Sequence, residues 1–157
     1  MLRPAFRWVS IGDCRGIGGS FDPAASFTRD QAEAAIRFIE NQKHAWVIDA
    51  GRFIGHVRLH SAVPADRRAA LAIGINDPAY LGKGYGTEAV RLALTFAFEH
   101  GLHRVSLRVL ASNARAIACY RKCGFIEEGR ERETALVGGV RQDDLIMGLL
   151  DREFVPR

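Results

Sequence analysis

The sequence has no apolar run approaching the length of a membrane span, so no membrane partner is expected. Met1-Leu2-Arg3-Pro4 is not followed by an apolar signal core, and no secretory signal is expected. Cysteine is scarce: Cys14, Cys119 and Cys123 are odd in number and form no framework pattern, which favours a reducing cytoplasm. Cys119 and Cys123 stand four apart, but no His or Cys joins them at zinc-ligand spacing, so apolar packing is expected and no metal is assigned. Internal repeats and low-complexity segments are absent. Neither sign of charge dominates, since 22 basic and 18 acidic residues leave a net +4. That mild balance suits an anionic cofactor. The basic residues are dispersed without an aromatic-rich pattern, so no nucleic acid is expected.

With 48% hydrophobic and 25% charged residues in 157, the chain is most simply one globular domain spanning 1–157. Its most informative stretch is Leu81-Gly82-Lys83-Gly84-Tyr85-Gly86-Thr87. Alternating glycines let a ligand approach the backbone and allow positive φ. A strand-like run, Leu71 to Ile75, precedes it, and a helix-like run, Ala89 to Phe98, follows. A Gly-rich turn between strand and helix offers free N–H groups and the positive end of the helix dipole to an anion. The dinucleotide spacing fails, because Thr87 stands where the third glycine belongs. The mononucleotide spacing fails as well, because Gly84 follows Gly82-Lys83 where Ser or Thr is needed.

The rest of the chain supplies a frame. Phe6 to Ile11 reads as a short strand and Arg15 to Ser20 as a loop. Thr28 and Gln31 make a capping box for a helix ending near residues 41–43. Ala45 to Ile48 and Phe53 to Leu59 read as a strand pair, with Phe53, Val57 and Leu59 on one face and Gly55 at a bulge or close contact. Val63 to Arg68 is a polar connection. Thr87 is the expected cap of the helix carrying Val90, Leu94, Ala97 and Phe98, and Gly101 its C′ residue. Arg104 to Leu110 alternates as a strand with Val105, Leu107 and Val109 on one face. A short helix opens at Asn113 and ends at Gly124, and a hairpin turns at Gly138-Gly139. Hairpins mixed with β–α–β units imply a mixed sheet carrying helices.

Asn113, Tyr120 and Gly124-Phe125 form a second motif on the short helix. By pattern alone Asn113 can be an N-cap, Tyr120 a core residue, and His56 and His60 surface or cleft residues. Taken with the glycine run, the two motifs in order resemble the GNAT superfamily of N-acetyltransferases, over residues 28–150. The branch most similar includes the ribosomal-protein alanine acetyltransferases. Gly84 and Gly86 fit that family's pyrophosphate loop, while Leu81 stands where Gln or Arg is usual.

The resemblance implies an α/β (α+β) GNAT fold: a mixed, mostly antiparallel sheet of about six to seven strands, splayed centrally and flanked by helices. It implies acetyl transfer from acetyl-CoA to a primary amine of a small molecule or protein N-terminus, and allows a homodimer. Carried over residue by residue, it gives Tyr120 as the general acid. The backbone of Leu81, Gly82, Lys83, Gly84, Tyr85, Gly86 and Thr87 holds the pyrophosphate, Ile73 and Ile75 pair with the pantetheine arm, and Asn113 lies beside it. Family members often carry a Glu on the strand before the loop, but Ala69 to Ile75 has no carboxylate. His60, Asp66 and a water chain are left as candidate bases. The alternative is a catalytically weak CoA-binding GNAT-fold sensor or binding module.

Overall fold

A computed structural model describes residues 44–156. The expected strand at Phe6–Ile11, the loop at 15–20 and the capping-box helix at 28–43 lie outside the described residues. Six strands follow: β1 (Ala45–Asp49), β2 (Phe53–Val63), β3 (Arg68–Ile75), β4 (Arg104–Leu110), β5 (Ile126–Val137) and β6 (Val140–Leu150). Helix α1 spans Tyr85–Glu99 and α2 spans Ala114–Lys122. The strands form one sheet in the order β1-β2-β3-β4-β6-β5. Every neighbouring pair is antiparallel except β3 with β4, which is parallel. The sheet is therefore mixed and mostly antiparallel, as the resemblance implies. A parallel pair needs a crossover, and α1 supplies it.

The core lies on the sheet face that α1 covers. Val90 and Leu94 of α1 are fully buried, as are Ile48 of β1 and Val105 of β4. Side chains of this size contribute roughly 1.5–3 kcal/mol each when fully removed from water. Trp46 of β1 meets Phe96 of α1 edge-on, with ring centroids 5.0 Å apart, and so ties the outer strand to the helix. α1 ends in a Schellman arrangement: Gly101 N–H donates to the Phe98 carbonyl and Leu102 N–H to that of Ala97. Gly101 takes φ +85° there, the C′ role expected of it.

Two strand boundaries and one facing differ from the sequence reading. β2 runs on to Val63 and β3 begins at Arg68, with only a single 3-10 turn, Pro64–Asp66, between them. Ladder pairing with β2 carries the polar residues into the sheet. Val57 and Leu59 join the main core, but Phe53 packs with Ala45 and Val47 instead. The β1–β2 register shifts between Ile48 and Asp49, and an irregularity of that kind reverses which face the next side chain takes.

Candidate functional site

The glycine run folds as a turn feeding a helix. Leu81 has φ −69° and ψ 144°, and Gly82 follows at φ +73°, the two central conformations of a type II turn. Gly84 is the N-cap of α1 at φ +92°, a conformation that glycine adopts without penalty. Thr87, the expected cap, is instead the third helical residue, because the chain has already turned into the helix at Gly84. A glycine cap brings no side-chain acceptor. The N–H groups of Tyr85, Gly86 and Thr87 thus form an uncapped first turn at the positive end of a 15-residue helix. Lys83 stands beside them, its Nζ 5.5 Å from the centre of the Tyr80 ring. Gly86 differs from the other two glycines. Its φ is not positive, and an added Cβ would meet only ordinary contacts, 3.9 Å from Cys119 Sγ and 4.0 Å from Ile73 Cδ1.

The second component is a break in the sheet. β3 and β4 pair at Arg68↔Arg104, Ala69↔Val105 and Ala70↔Ser106, and then part. β3 stays on β2 as far as Ile75↔Gly55, while β4 stays on β6 as far as Leu110↔Asp144. Each strand follows its antiparallel neighbour, so a gap opens between residues 71–75 and 107–110. Ile73 and Ile75 line its β3 side and are partly exposed, whereas Leu71 at its root is buried. On the other edge of β3, Gly55 is the close contact expected of it. A Cβ there would lie 2.1 Å from the Gly74 carbonyl oxygen.

The third component is α2. Asn113 caps it, its Oδ1 accepting from the Ala116 N–H at 3.1 Å. The capping role therefore exists for Asn113, and its side chain is exposed beyond it. Tyr120 is 7% exposed, with its ring edge-on to Phe125 at 5.9 Å. Burial, followed by the neighbouring Cys119 and Cys123, pushes the Tyr120 phenol well above its ordinary value of 10, so it keeps its proton at neutral pH. Cys119 is half-buried and its Sγ lies 3.3 Å from Thr87 Oγ1. The Cys123 thiol is buried and donates to the Thr87 carbonyl at 3.7 Å. The apolar packing expected of the two cysteines is joined by these polar contacts. No group of metal-binding side chains occurs among the described residues.

The candidate bases Asp66 and His60, and the cleft-or-surface residue His56, separate by position. Asp66 pairs with Arg68 at 3.0 Å on the closed end of the β3–β4 pair, away from the gap. His60 lies opposite Ala70, level with the last β3–β4 pairing, and its Nδ1 is 3.0 Å from Ser61 Oγ. His56, opposite Gly74, is level with the open segment. Burial, then the Arg58 charge, lowers His56 to about 4, so its ring is neutral at neutral pH.

The acetyltransferase (GNAT) domain family matches residues 4–126. This chain belongs to the GNAT family. The GNAT chain is 35% identical over 101 residues to the probable N-acetyltransferase YjcK of Bacillus subtilis, covering 64% of the chain and 56% of that relative. It is 31% identical over 123 residues to the N-alpha-acetyltransferase RimI of Mycobacterium tuberculosis, covering 78% and 73%. Among solved structures, a spermidine N-acetyltransferase chimera from Vibrio cholerae and hSSAT superposes with a TM-score of 0.67 at 30% identity, covering 86% of each chain.

Two sets of contacts at this candidate site have no counterpart in the sequence reading. One joins Thr87 to Cys119 and Cys123. The other joins Arg52 of the β1–β2 turn to Asp77, just before the glycine loop, with the guanidinium 5.5 Å from the Tyr80 ring centre. Residues in these contacts stand 25 or more positions apart, and no local pattern announces them.

Proposed function

We propose that this chain transfers an acetyl group from acetyl-CoA to a primary amine, of a small molecule or a protein N-terminus, by direct attack in a ternary complex. The observation that carries the reading is the gap between parallel strands beside the uncapped N-terminus of α1, whose Thr87 contacts Cys119, the neighbour of the buried Tyr120. Gly86 supports the fit to a cofactor of this shape. The chain's own backbone does not require glycine there, and an added Cβ would point toward Ile73, on the β3 side of the gap.

In this reading the N–H groups of Leu81 to Thr87 hold the pyrophosphate, with Lys83 adding charge. The main chain of Ile73 and Ile75 offers an open ladder edge to the pantetheine arm, as a sheet does to an added strand. Asn113 lies beside the arm. Bound acetyl-CoA supplies an activated thioester carbonyl. Tyr120 holds a proton toward the departing sulfur. A thiolate, with an ordinary pKa of about 8.5, is a weaker base than a buried phenolate. The phenol therefore stabilises the developing charge chiefly by hydrogen bonding. The acceptor must attack as a free amine. β3 has no carboxylate to take its proton, and no base is assigned.

The reading extends to a single acetyltransferase domain over 1–157, metal-free and cytoplasmic, with a homodimer allowed. Spermidine belongs in the amine panel because it is named for a structural neighbour. The carboxylate-free β3 also favours a second reading, a CoA-binding sensor without turnover. Turnover assays with acetyl-CoA and an amine panel separate the two. Calorimetry showing ATP or NAD binding and no CoA binding overturns both.

A further inference from the structure

Three side-chain contacts join the first two turns of α1 to the last two turns of α2. Thr87 Oγ1 lies 3.3 Å from Cys119 Sγ, and the Cys123 thiol donates to the Thr87 carbonyl at 3.7 Å. One turn further along α1, Arg91 Nη2 donates to the Lys122 carbonyl at 3.1 Å. The residues held on α2 are 119, 122 and 123, and they bracket Tyr120. The hydroxyl of Thr87 can reach across because α1 has already begun at Gly84, so Thr87 does not serve as its own helix's cap. β-Branching restricts that hydroxyl to few side-chain rotamers.

We propose that Thr87 and Cys119 form a clasp that sets Tyr120 relative to the N-terminus of α1, and that Cys119 is a positioning residue acting through Tyr120. This inference rests on the reading of Tyr120 as the proton-holding group. Thr87 stands at both ends of the argument: its N–H belongs to the uncapped turn, and its hydroxyl and carbonyl meet α2. Sulfur contacts are weak as hydrogen bonds. Their leverage is positional, since a displacement of about 1 Å at a reacting group can cost on the order of a hundredfold in rate. Cys123, buried on the same face of α2, sets the depth of the helix, while the half-buried Cys119 sets its rotation.

The test is a double-mutant cycle in steady-state kinetics, with calorimetric CoA binding measured on every variant. Cys119→Ala is expected to lower kcat roughly tenfold with KM for acetyl-CoA and the CoA Kd within about twofold of the parent. Cys119→Ser, which keeps a polar atom for Thr87, is expected to restore most of kcat. In a Tyr120→Phe background, Cys119→Ala is expected to cause no further loss. The same loss in both backgrounds overturns the clasp, as does a Cys119→Ala enzyme with full kcat or one whose defect is confined to KM. If Tyr120→Phe alone keeps full kcat, the reading of Tyr120 fails and the clasp fails with it. A Tyr120→Phe loss without coupling to Cys119 removes the clasp alone.

Discussion

Arg104 and Glu128 meet as a two-point fork across an intervening strand. They belong to β4 and β5, and β6 runs between them. The fork passes over Gly148, where an added Cβ would lie 2.4 Å from the Glu128 carboxylate. The hydrogen bond from Arg104, and then its charge, hold the Glu128 carboxyl below its ordinary value of 4.5. The pair is about one-third exposed, so its contribution is discounted to about 0.5–1 kcal/mol. A lowered carboxyl pKa stabilises the fold above the ordinary value, and that contribution is lost as pH falls through the lowered one. Urea titrations at neutral and acid pH should show Glu128→Gln less stable than the parent by that amount at neutral pH and equal to it in acid. A Gln variant equally stable at neutral pH removes the fork from the account.

Gly55→Ala should be far more damaging than Gly148→Ala. At Gly148 the obstacle is the movable end of a glutamate, whereas at Gly55 it is the Gly74 carbonyl of the neighbouring strand. Overpacking against backbone costs about 1–3 kcal/mol or more. Thermal melts of the two variants side by side give the ranking, and equal melting temperatures contradict it.

Gly86→Ala should separate binding from stability. A helical Gly-to-Ala change raises stability by roughly 0.5–1 kcal/mol. CoA affinity should nevertheless fall about tenfold on the proposed reading, because the methyl group adds bulk beside Ile73 at the turn proposed to hold the pyrophosphate. Calorimetry showing unchanged affinity places the cofactor elsewhere.

Tyr120→Phe should lower kcat by about a hundredfold or more and leave KM for acetyl-CoA nearly unchanged. In the parent enzyme, kcat/KM should rise with pH as the acceptor deprotonates, near about 10.4 for a lysine-like amine. The buried phenol keeps its proton over that range, so no falling limb should appear below about pH 10. A falling limb near about pH 8 that disappears in Tyr120→Phe contradicts the stated environment of the phenol.

His56 should make the fold acid-sensitive. Its pKa is 6.5 unfolded and about 4 folded, so the unfolded chain binds the extra proton between those values. Stability should therefore be complete above pH 6.5 and decline toward pH 4, by at most about 3 kcal/mol. Denaturant midpoints at pH 7 and 5 should differ in the parent and differ less in His56→Gln, where His60, also lowered by burial, still contributes.

Much of this architecture was legible because it is encoded by neighbours in sequence. Asn113 caps the helix it precedes, Gly101 closes α1, and Gly138 and Gly139, both at positive φ, turn the last hairpin. The start of α1 was misread because Thr87-Glu88 resembles a cap, although Gly84 had already turned the backbone. Phe53 was assigned the wrong face because a register shift leaves no mark in composition. The parting of β3 from β4 depends on how two hairpin-like pairings compete for their strands, and the Thr87 contacts join residues 32 and 36 positions apart. Neither has a local signature. The proton acceptor for the amine was not legible, and the strand where a carboxylate was sought contains none.

The parted strands also bear on aggregation. From Leu71 onward β3 has a ladder partner on one side only, so an interior strand carries a stretch of free edge. Free edges usually recruit other polypeptides. This one is only a few residues long and faces β4 across the gap, which makes it a poor template for a second sheet. A slender amide-bearing chain is the kind of guest that such a slot admits. On the proposed reading, the same free backbone would serve a bound cofactor rather than another strand.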